Sequence, residues 1–167
     1  MKTMLVPVDF SPAMDCVLAL ARQMAQAFGA DLHLIHVREI VALPVFPAAT
    51  VGYPGIGMPE MGMAGGAPLA VADLVGSDGP NEKGKSRLSL LQEDLAGSGL
   101  KVAAHEPEGT VVSEILKVAQ NISADLIIMG SHGHGSVYNL LVGSVTEGVL
   151  KASKHPVLLV PAPRGPK

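Results

Sequence analysis

Short apolar runs alternate along the chain with segments in which apolar residues recur every three or four positions. Five of the runs have the length and the branched side chains of buried strands, and we predict strands at residues 4–8, 32–37, 100–104, 126–129 and 157–160. The helical spacing predicts helices at residues 12–28, 81–95, 110–121 and 144–152. Because strand and helix alternate to the end, we expect a parallel sheet with helices on both faces.

Local signals mark where two of these helices begin. Ser11 followed by Pro12 predicts the start of the first helix, and Gly29 predicts its end. Ser144 and Glu147 have the spacing of a capping box, which predicts that Ser144 caps the last helix. The first and last helices therefore have defined amino ends, each close to the end of a predicted strand.

Residues 41–80 differ from the rest of the chain. They contain six prolines and eight glycines, and their only charged residues are Glu60, Asp73 and Asp78. This composition predicts a long loop or insertion, because it interrupts both kinds of regular backbone hydrogen bonding. We expect the 167-residue chain to form a single domain that carries this loop.

Composition and charge exclude several classes of protein. Hydrophobic residues make up 48% of the chain and charged residues 16%, which excludes a disordered chain. A net charge of −3 gives no basic surface for nucleic acid, and prolines and glycines break the longest uncharged stretch, so we expect no membrane span. Cys16 is the only cysteine, and we interpret it as a small buried residue of the first helix. We expect a cytoplasmic protein without disulfides.

Glycines dominate the segment between the fourth strand and the last helix. Gly130, Gly133, Gly143 and Ser144 have the spacing G-x2-G-x9-G-S. Glycine allows the backbone to approach a phosphate closely, and a helix amino end favours an anion. A flexible turn before an ordinary capped helix explains the same spacing, so the pattern leaves both interpretations open.

Three segments together resemble one protein family. LVPVDFSP near the amino end, ADLIIMG in the fourth strand, and GSHGHGSVYNLLVGSVTEGVLKASKHPVLLV after it are similar to the universal stress protein family, whose nucleotide-binding members carry G-x2-G-x9-G-[ST]. The resemblance implies an open five-stranded parallel sheet in the order 3-2-1-4-5, Rossmann-like and similar to adenine nucleotide alpha hydrolases. It also implies ATP at the carboxyl edge of the sheet and a stress-response or regulatory role.

The resemblance assigns roles to individual positions. It implies that Pro7, Val8 and Asp9 border the ribose and adenine, with Asp9 on the ribose or on Mg2+, and that the Val37 main chain meets the adenine. The positions implied for the phosphates are Met129, Gly130, Ser131, His132, Gly133, His134, Gly143, Ser144, Val145 and Thr146. It implies a homodimer through residues 157–160, a short apolar strand suited to edge pairing.

The glycine-rich segment between Gly130 and Ser144 argues against efficient hydrolysis. It holds no Lys or Arg to neutralise a transferred phosphoryl group, and it offers no carboxylate base. We therefore assign no catalytic residue and expect at most a slow ATPase. The alternative from another class is a dimeric interaction module without nucleotide, with residues 41–80 as its partner-recognition surface.

A second phosphate-binding pattern competes with the first. Residues 79–86 read GPNEKGKS, which satisfies the Walker A expression with Lys85 and Ser86 at its end. The preceding apolar stretch contains Asp73 and lies in the irregular region, so we interpret the pattern as a polar helix start and retain a P-loop NTPase as the lower alternative.

Metal binding has weaker support. Met58, Met61 and Met63 lack nearby Cys or His, and His132 with His134 makes too small a ligand set, so we predict no metal site in the protein itself. We interpret His33, His36 and His105, which fall on or beside predicted strands, as packing residues.

Overall fold

A computed structural model of the chain describes residues 1–11, 14–39, 86–131 and 142–161. The described residues all lie in one compact unit formed by residues 1–40 and 80–167. The elements in chain order are β1 (Thr3–Pro7), α1 (Met14–Phe28), β2 (Asp31–Ile35), α2 (Arg87–Gly97), β3 (Val102–His105), α3 (Val111–Asn121), β4 (Leu126–Gly130), α4 (Ser144–Ala152) and β5 (Val157–Val160).

The strands form a single five-stranded sheet in the order β3-β2-β1-β4-β5, and every pairing is parallel. Both the architecture and the order agree with the prediction. Strand ends agree with the prediction within two residues, and the shifts of two residues are at the end of β2, Ile35 instead of Val37, and at the start of β3, Val102 instead of Leu100. Val37 therefore lies beyond the paired residues of β1 and β2, whereas Arg38 still pairs with the segment after β3.

Alternate residues along the central strands enter two separate cores, as expected of a sheet covered on both faces. One core packs against α1 and α2 and takes Met4, Val6, Leu32, Leu34 and Ile128 from the sheet. The other packs against α3 and α4 and takes Leu5, Ile35, Ile127 and Met129. Both cores leave the carboxyl edge of the sheet to loops and helix amino ends.

The capping box predicted for the last helix is wrong. Gly143 is the N-cap of α4, and Ser144 is its first helical residue, without a side-chain cap. The Glu147 N–H donates to the Gly143 carbonyl oxygen at 2.8 Å, which moves the start of the helix one residue earlier than the pattern implied. The Glu147 carboxylate instead accepts from Lys151 Nζ at 2.6 Å.

The prediction that Cys16 is buried is wrong, and two predicted helix starts lie outside the described residues. Cys16 is exposed, because it lies on α1 beside the buried face that Val17 and Ala21 present to the core. The first helical residue of α1 is Met14, and the predicted start at Pro12 lies outside the described residues. Helix α2 begins at Arg87 with Ser86 as its N-cap, while the predicted start at residues 81–85 is outside the described part. In the described ranges no helix is long and apolar enough to cross a membrane.

Candidate functional site

The candidate site lies where the strand order reverses. From β1 the chain continues to β2 on one side, whereas β4 pairs with β1 on the other side. Such a switch point leaves a crevice beyond the carboxyl ends of the two central strands. Here those ends are Pro7 and Gly130.

On the β4 side, hydrogen bonds join the two halves of the glycine segment. The Ser131 N–H donates to the Val160 carbonyl oxygen at 2.9 Å, which extends the β4–β5 pairing past Gly130. The Gly143 N–H then donates to the Ser131 carbonyl oxygen at 2.8 Å. The residue after β4 therefore contacts the residue that caps α4.

The amino end of α4 faces this junction with main-chain N–H groups that are unpaired within the helix. Because the first intrahelical bond runs from the Glu147 N–H to Gly143, the N–H groups of Ser144, Val145 and Thr146 have no partner within the helix. These groups and the positive end of the helix dipole favour an anion.

The side chains at this junction divide between the site and the core. Thr146 is 4% exposed, and its hydroxyl donates to the Gly130 carbonyl oxygen at 3.0 Å, so it joins the helix to the strand end. Ser144 is exposed and keeps its hydroxyl at the surface. Met129 is buried in the α3 and α4 core, so its main chain is the part that lies at the edge.

On the β1 side, Val8 is locked to β2. Its N–H donates to the Ile35 carbonyl oxygen at 2.8 Å, and His36 Nδ1 donates to its carbonyl oxygen at 2.8 Å. Asp9 is exposed and accepts the Ser11 N–H on Oδ1 at 3.0 Å, which turns its carboxylate back towards the start of the helix. Among the described residues, the Val37 main chain has no hydrogen-bond partner.

Phe10, which follows Asp9, has an unusual main-chain conformation that the sequence patterns did not indicate. Its φ is 56°, in the left-handed region that bulky residues rarely adopt. The ring packs against the His36 ring, with centroids 4.8 Å apart, and the Arg87 guanidinium lies 4.2 Å from the ring centroid. The turn after β1 is therefore held by side chains from β2's end and from the start of α2.

A histidine pair links the neighbouring strands β2 and β3. His33 Nδ1 and His105 Nε2 are 2.9 Å apart, and the two rings are nearly parallel. Burial lowers the pKa of both imidazoles, and the proximity of His105 lowers the pKa of His33 further, against the opposing effect of Asp31. The prediction of packing histidines omitted this direct hydrogen bond.

Three of the predicted site residues, His132, Gly133 and His134, lie outside the described residues, as do the three loop methionines and residues 79–85 of the Walker-like pattern. Within the described ranges, no group of three or more His, Cys, Asp or Glu side chains is placed to hold a metal ion. The described part of the candidate site therefore consists of main-chain donors, hydroxyls and the single carboxylate of Asp9.

The sequence model of the universal stress protein family matches residues 1–161. The chain belongs to this family. Two curated relatives are similar over nearly their whole length. Universal stress protein MJ0577 of Methanocaldococcus jannaschii is 30% identical, with 95% of this chain and 94% of the relative covered. Universal stress protein Sll1654 of Synechocystis is 33% identical, with 96% and 85% covered.

Solved structures of universal stress proteins share the fold. The structure of MJ0577 has a TM-score of 0.64 at 26% identity and covers 98% of both chains. A universal stress protein in complex with cAMP has a TM-score of 0.57 at 20% identity, covering 97% of this chain and 98% of that one. The Archaeoglobus fulgidus protein in complex with dAMP has a TM-score of 0.56 at 18% identity, covering 95% and 97%.

Proposed function

We propose that this universal stress protein binds ATP at the β1–β4 crevice and acts as a nucleotide-dependent regulatory module with little or no hydrolysis. The observation that carries the proposal is the 2.8 Å hydrogen bond from the Gly143 N–H to Ser131, which unites the turn after β4 with the amino end of α4. Two fold neighbours that hold adenine mononucleotides, cAMP and dAMP, support an adenine ligand.

The proposal assigns each part of the nucleotide to a different edge of the crevice. The N–H groups of residues 144–146 bind phosphate oxygens, together with the main chain of residues 129–133. The exposed Asp9 carboxylate binds the ribose or a Mg2+ ion that accompanies the phosphates. The main chain of Val37, which has no hydrogen-bond partner in the part of the chain that the structure describes, binds the adenine edge, bordered by Pro7 and Val8, and His134 lies beside the phosphates.

Slow turnover follows from the chemistry of the same residues. Residues 129–146 include no Lys, Arg, Asp or Glu, so the phosphate side supplies main-chain dipoles without a lysine or arginine cation or a carboxylate base. Such donors bind a triphosphate in its ground state, and they give little additional stabilisation to a transferring phosphoryl group.

Calorimetric titration with Mg-ATP tests the proposal. We expect saturable binding to the purified protein, and mass spectrometry of any small molecule released on denaturation should show an adenine nucleotide. Parallel titrations with ADP, AMP and cAMP identify the preferred phosphate state. Absence of heat from a folded dimer would reject ATP binding and favour the interaction module that uses residues 41–80.

We also propose that the protein is a homodimer through β5. Strand β5 is at the edge of the sheet, and three of its four residues, Val157, Leu158 and Leu159, are only half-buried. An apolar edge strand can pair with a second copy. Light scattering after size exclusion should give twice the 17.2 kDa mass of the chain, and a monomer mass would contradict the proposal.

A further inference from the structure

His36 connects four parts of the carboxyl edge. Its Nδ1 lies 2.8 Å from the Val8 carbonyl oxygen, and its ring is 4.8 Å from the Phe10 ring at 58°. The main-chain N–H of His36 donates to the His105 carbonyl oxygen at 3.0 Å. One residue therefore joins the end of β2 to β3, to the last peptide of the β1 ladder and to the turn that follows.

The bond to Val8 replaces a main-chain bond of the sheet. In a parallel ladder the Val8 N–H bonds to Ile35, and the next donor along β2, the Val37 N–H, would bond to the Val8 carbonyl. Here the imidazole Nδ1–H takes that carbonyl. The β1–β2 pairing ends at Ile35, and the Val37 main chain has no partner among the described residues, whereas pairing on the β3 side continues to Arg38.

The contact between the His36 and Phe10 rings holds the residue that follows Asp9. Phe10 keeps a left-handed φ of 56°, which costs a bulky residue energy that its surroundings must supply. The contacts of its ring with His36 and Arg87 supply it. Since Asp9 is placed between Val8 and Phe10, holding both neighbours restrains the Asp9 main chain, and the Ser11 N–H at 3.0 Å orients its carboxylate.

We propose that His36 is a positioning residue of the adenine-nucleotide site. Its Nδ1–H holds the Val8 carbonyl and thereby leaves the Val37 main chain for the adenine, while its ring holds the turn that carries Asp9. The inference rests on the proposed function, and it adds a residue that does not itself contact the nucleotide.

Three variants separate the two contacts. Asn places an amide N–H near the position of Nδ1 and keeps the donor, Phe keeps the ring without the donor, and Ala removes both. We expect His36→Ala to weaken Mg-ATP binding about tenfold. His36→Asn should recover most of the affinity through the restored donor, and His36→Phe should recover a smaller part through the restored ring contact.

His155 provides a matched control. Its Nδ1 lies 2.8 Å from the Ala124 carbonyl oxygen, at the opposite edge of the sheet before β4 begins. His155→Ala removes the same kind of bond and should lower thermal stability without changing the ATP dissociation constant. A merely structural role for His36 would make the two Ala variants equivalent in calorimetry once both are compared below their melting temperatures.

The outcomes distinguish the two proposals. No ATP binding by the wild-type protein would reject the proposed function and this inference together. Wild-type binding that His36→Ala leaves unchanged would overturn the inference alone. If His36→Ala does not fold, the order of the other two variants decides: tighter binding by Asn than by Phe supports the inference, and the reverse order overturns it.

Discussion

The two sides of the crevice are built by different means. On the β4–α4 side, main-chain groups bond to one another, and one buried side chain, Thr146, joins helix to strand. On the β1–β2 side, the side chains of His36, Phe10 and Arg87 hold the turn after β1. Glycine allows the close main-chain contacts of the β4–α4 side. The β1–β2 side instead needs particular side chains from positions that are distant in the sequence.

This difference has a consequence for substitution. A main-chain site is sensitive to any added side chain that occupies the space of the ligand, and it tolerates most changes elsewhere. A turn held by side chains responds in a graded way, because each contact contributes only part of its stability. The two sides should therefore be distinguishable by the size of the loss that single substitutions produce.

The largest effect is expected at Gly143. Gly143→Val places a β-branched side chain at the N-cap of α4, where the proposed phosphate must approach, and it should abolish ATP binding in calorimetry. Circular dichroism should remain unchanged. Gly97→Val is the matched control, because a Cβ there meets nothing within 4 Å and the site is distant. ATP binding by folded Gly143→Val would contradict a main-chain phosphate site.

A smaller loss is expected at Thr146. Thr146→Val keeps the shape but removes the 3.0 Å bond to the Gly130 carbonyl, which then lacks its hydroxyl donor. We expect a loss of about 1–2 kcal/mol in the free energy of unfolding and about tenfold weaker ATP binding. Thr146→Ser should restore part of both in urea denaturation and calorimetry. Equal values for the Val variant and the wild type would show that this bond does not orient α4.

Much of the β4–α4 side could be predicted from sequence because its signals are local. The apolar runs predicted the strands, and the resemblance predicted their order. The glycine spacing marked Gly130 and Gly143 as residues of one candidate site, and the structure adds the hydrogen bond from Gly143 to Ser131. The capping box was wrong because Ser144 and its neighbour Gly143 both suit an N-cap, and the hydrogen bond from the Glu147 N–H to the Gly143 carbonyl oxygen decides between them.

The β1–β2 side could not be predicted in the same way. The contacts of Phe10 with His36 and Arg87 join residues from three elements, and they depend on rotamers that packing sets. The exposure of Cys16 could not be predicted either. Helical spacing does not show on which side of the buried face a small apolar residue next to that face lies. Long-range side-chain contacts leave no spacing signal in a single sequence.

The His33–His105 pair, which joins β2 to β3, predicts that the stability of the folded protein depends on pH. Both histidines have a pKa below the usual 6.5, so the folded protein binds fewer protons than the unfolded chain near and below that pH. Their contribution is complete above pH 6.5 and is lost as the pH falls from 6.5 towards their folded pKa values. Asp31, itself 3.9 Å from Lys101, opposes the shift of His33 and moderates the loss.

Thermal melting between pH 8 and pH 5.5 measures this loss. The double variant His33→Gln/His105→Gln should show a shallower fall in melting temperature than the wild type, because it has no imidazole pair to protonate. A single His105→Gln variant should lie between them, since it removes the repulsion that His33 experiences. Identical slopes for all three proteins would contradict the linkage.

The smallest effect is expected at Lys85, and it tests whether the crevice is the nucleotide site at all. The hydroxyl of Ser86, which ends the Walker-like pattern, accepts the Ser89 N–H at 3.1 Å as the N-cap of α2, consistent with a polar helix start. Lys85→Ala should therefore bind Mg-ATP as tightly as Lys83→Ala and the wild type. A P-loop would instead lose binding at Lys85 alone, because its lysine contacts the phosphates directly. Loss at Lys85 together with retained binding in Gly143→Val would move the nucleotide to the start of α2, and the contrast between the two sides of the crevice would then have no bearing on ligand binding.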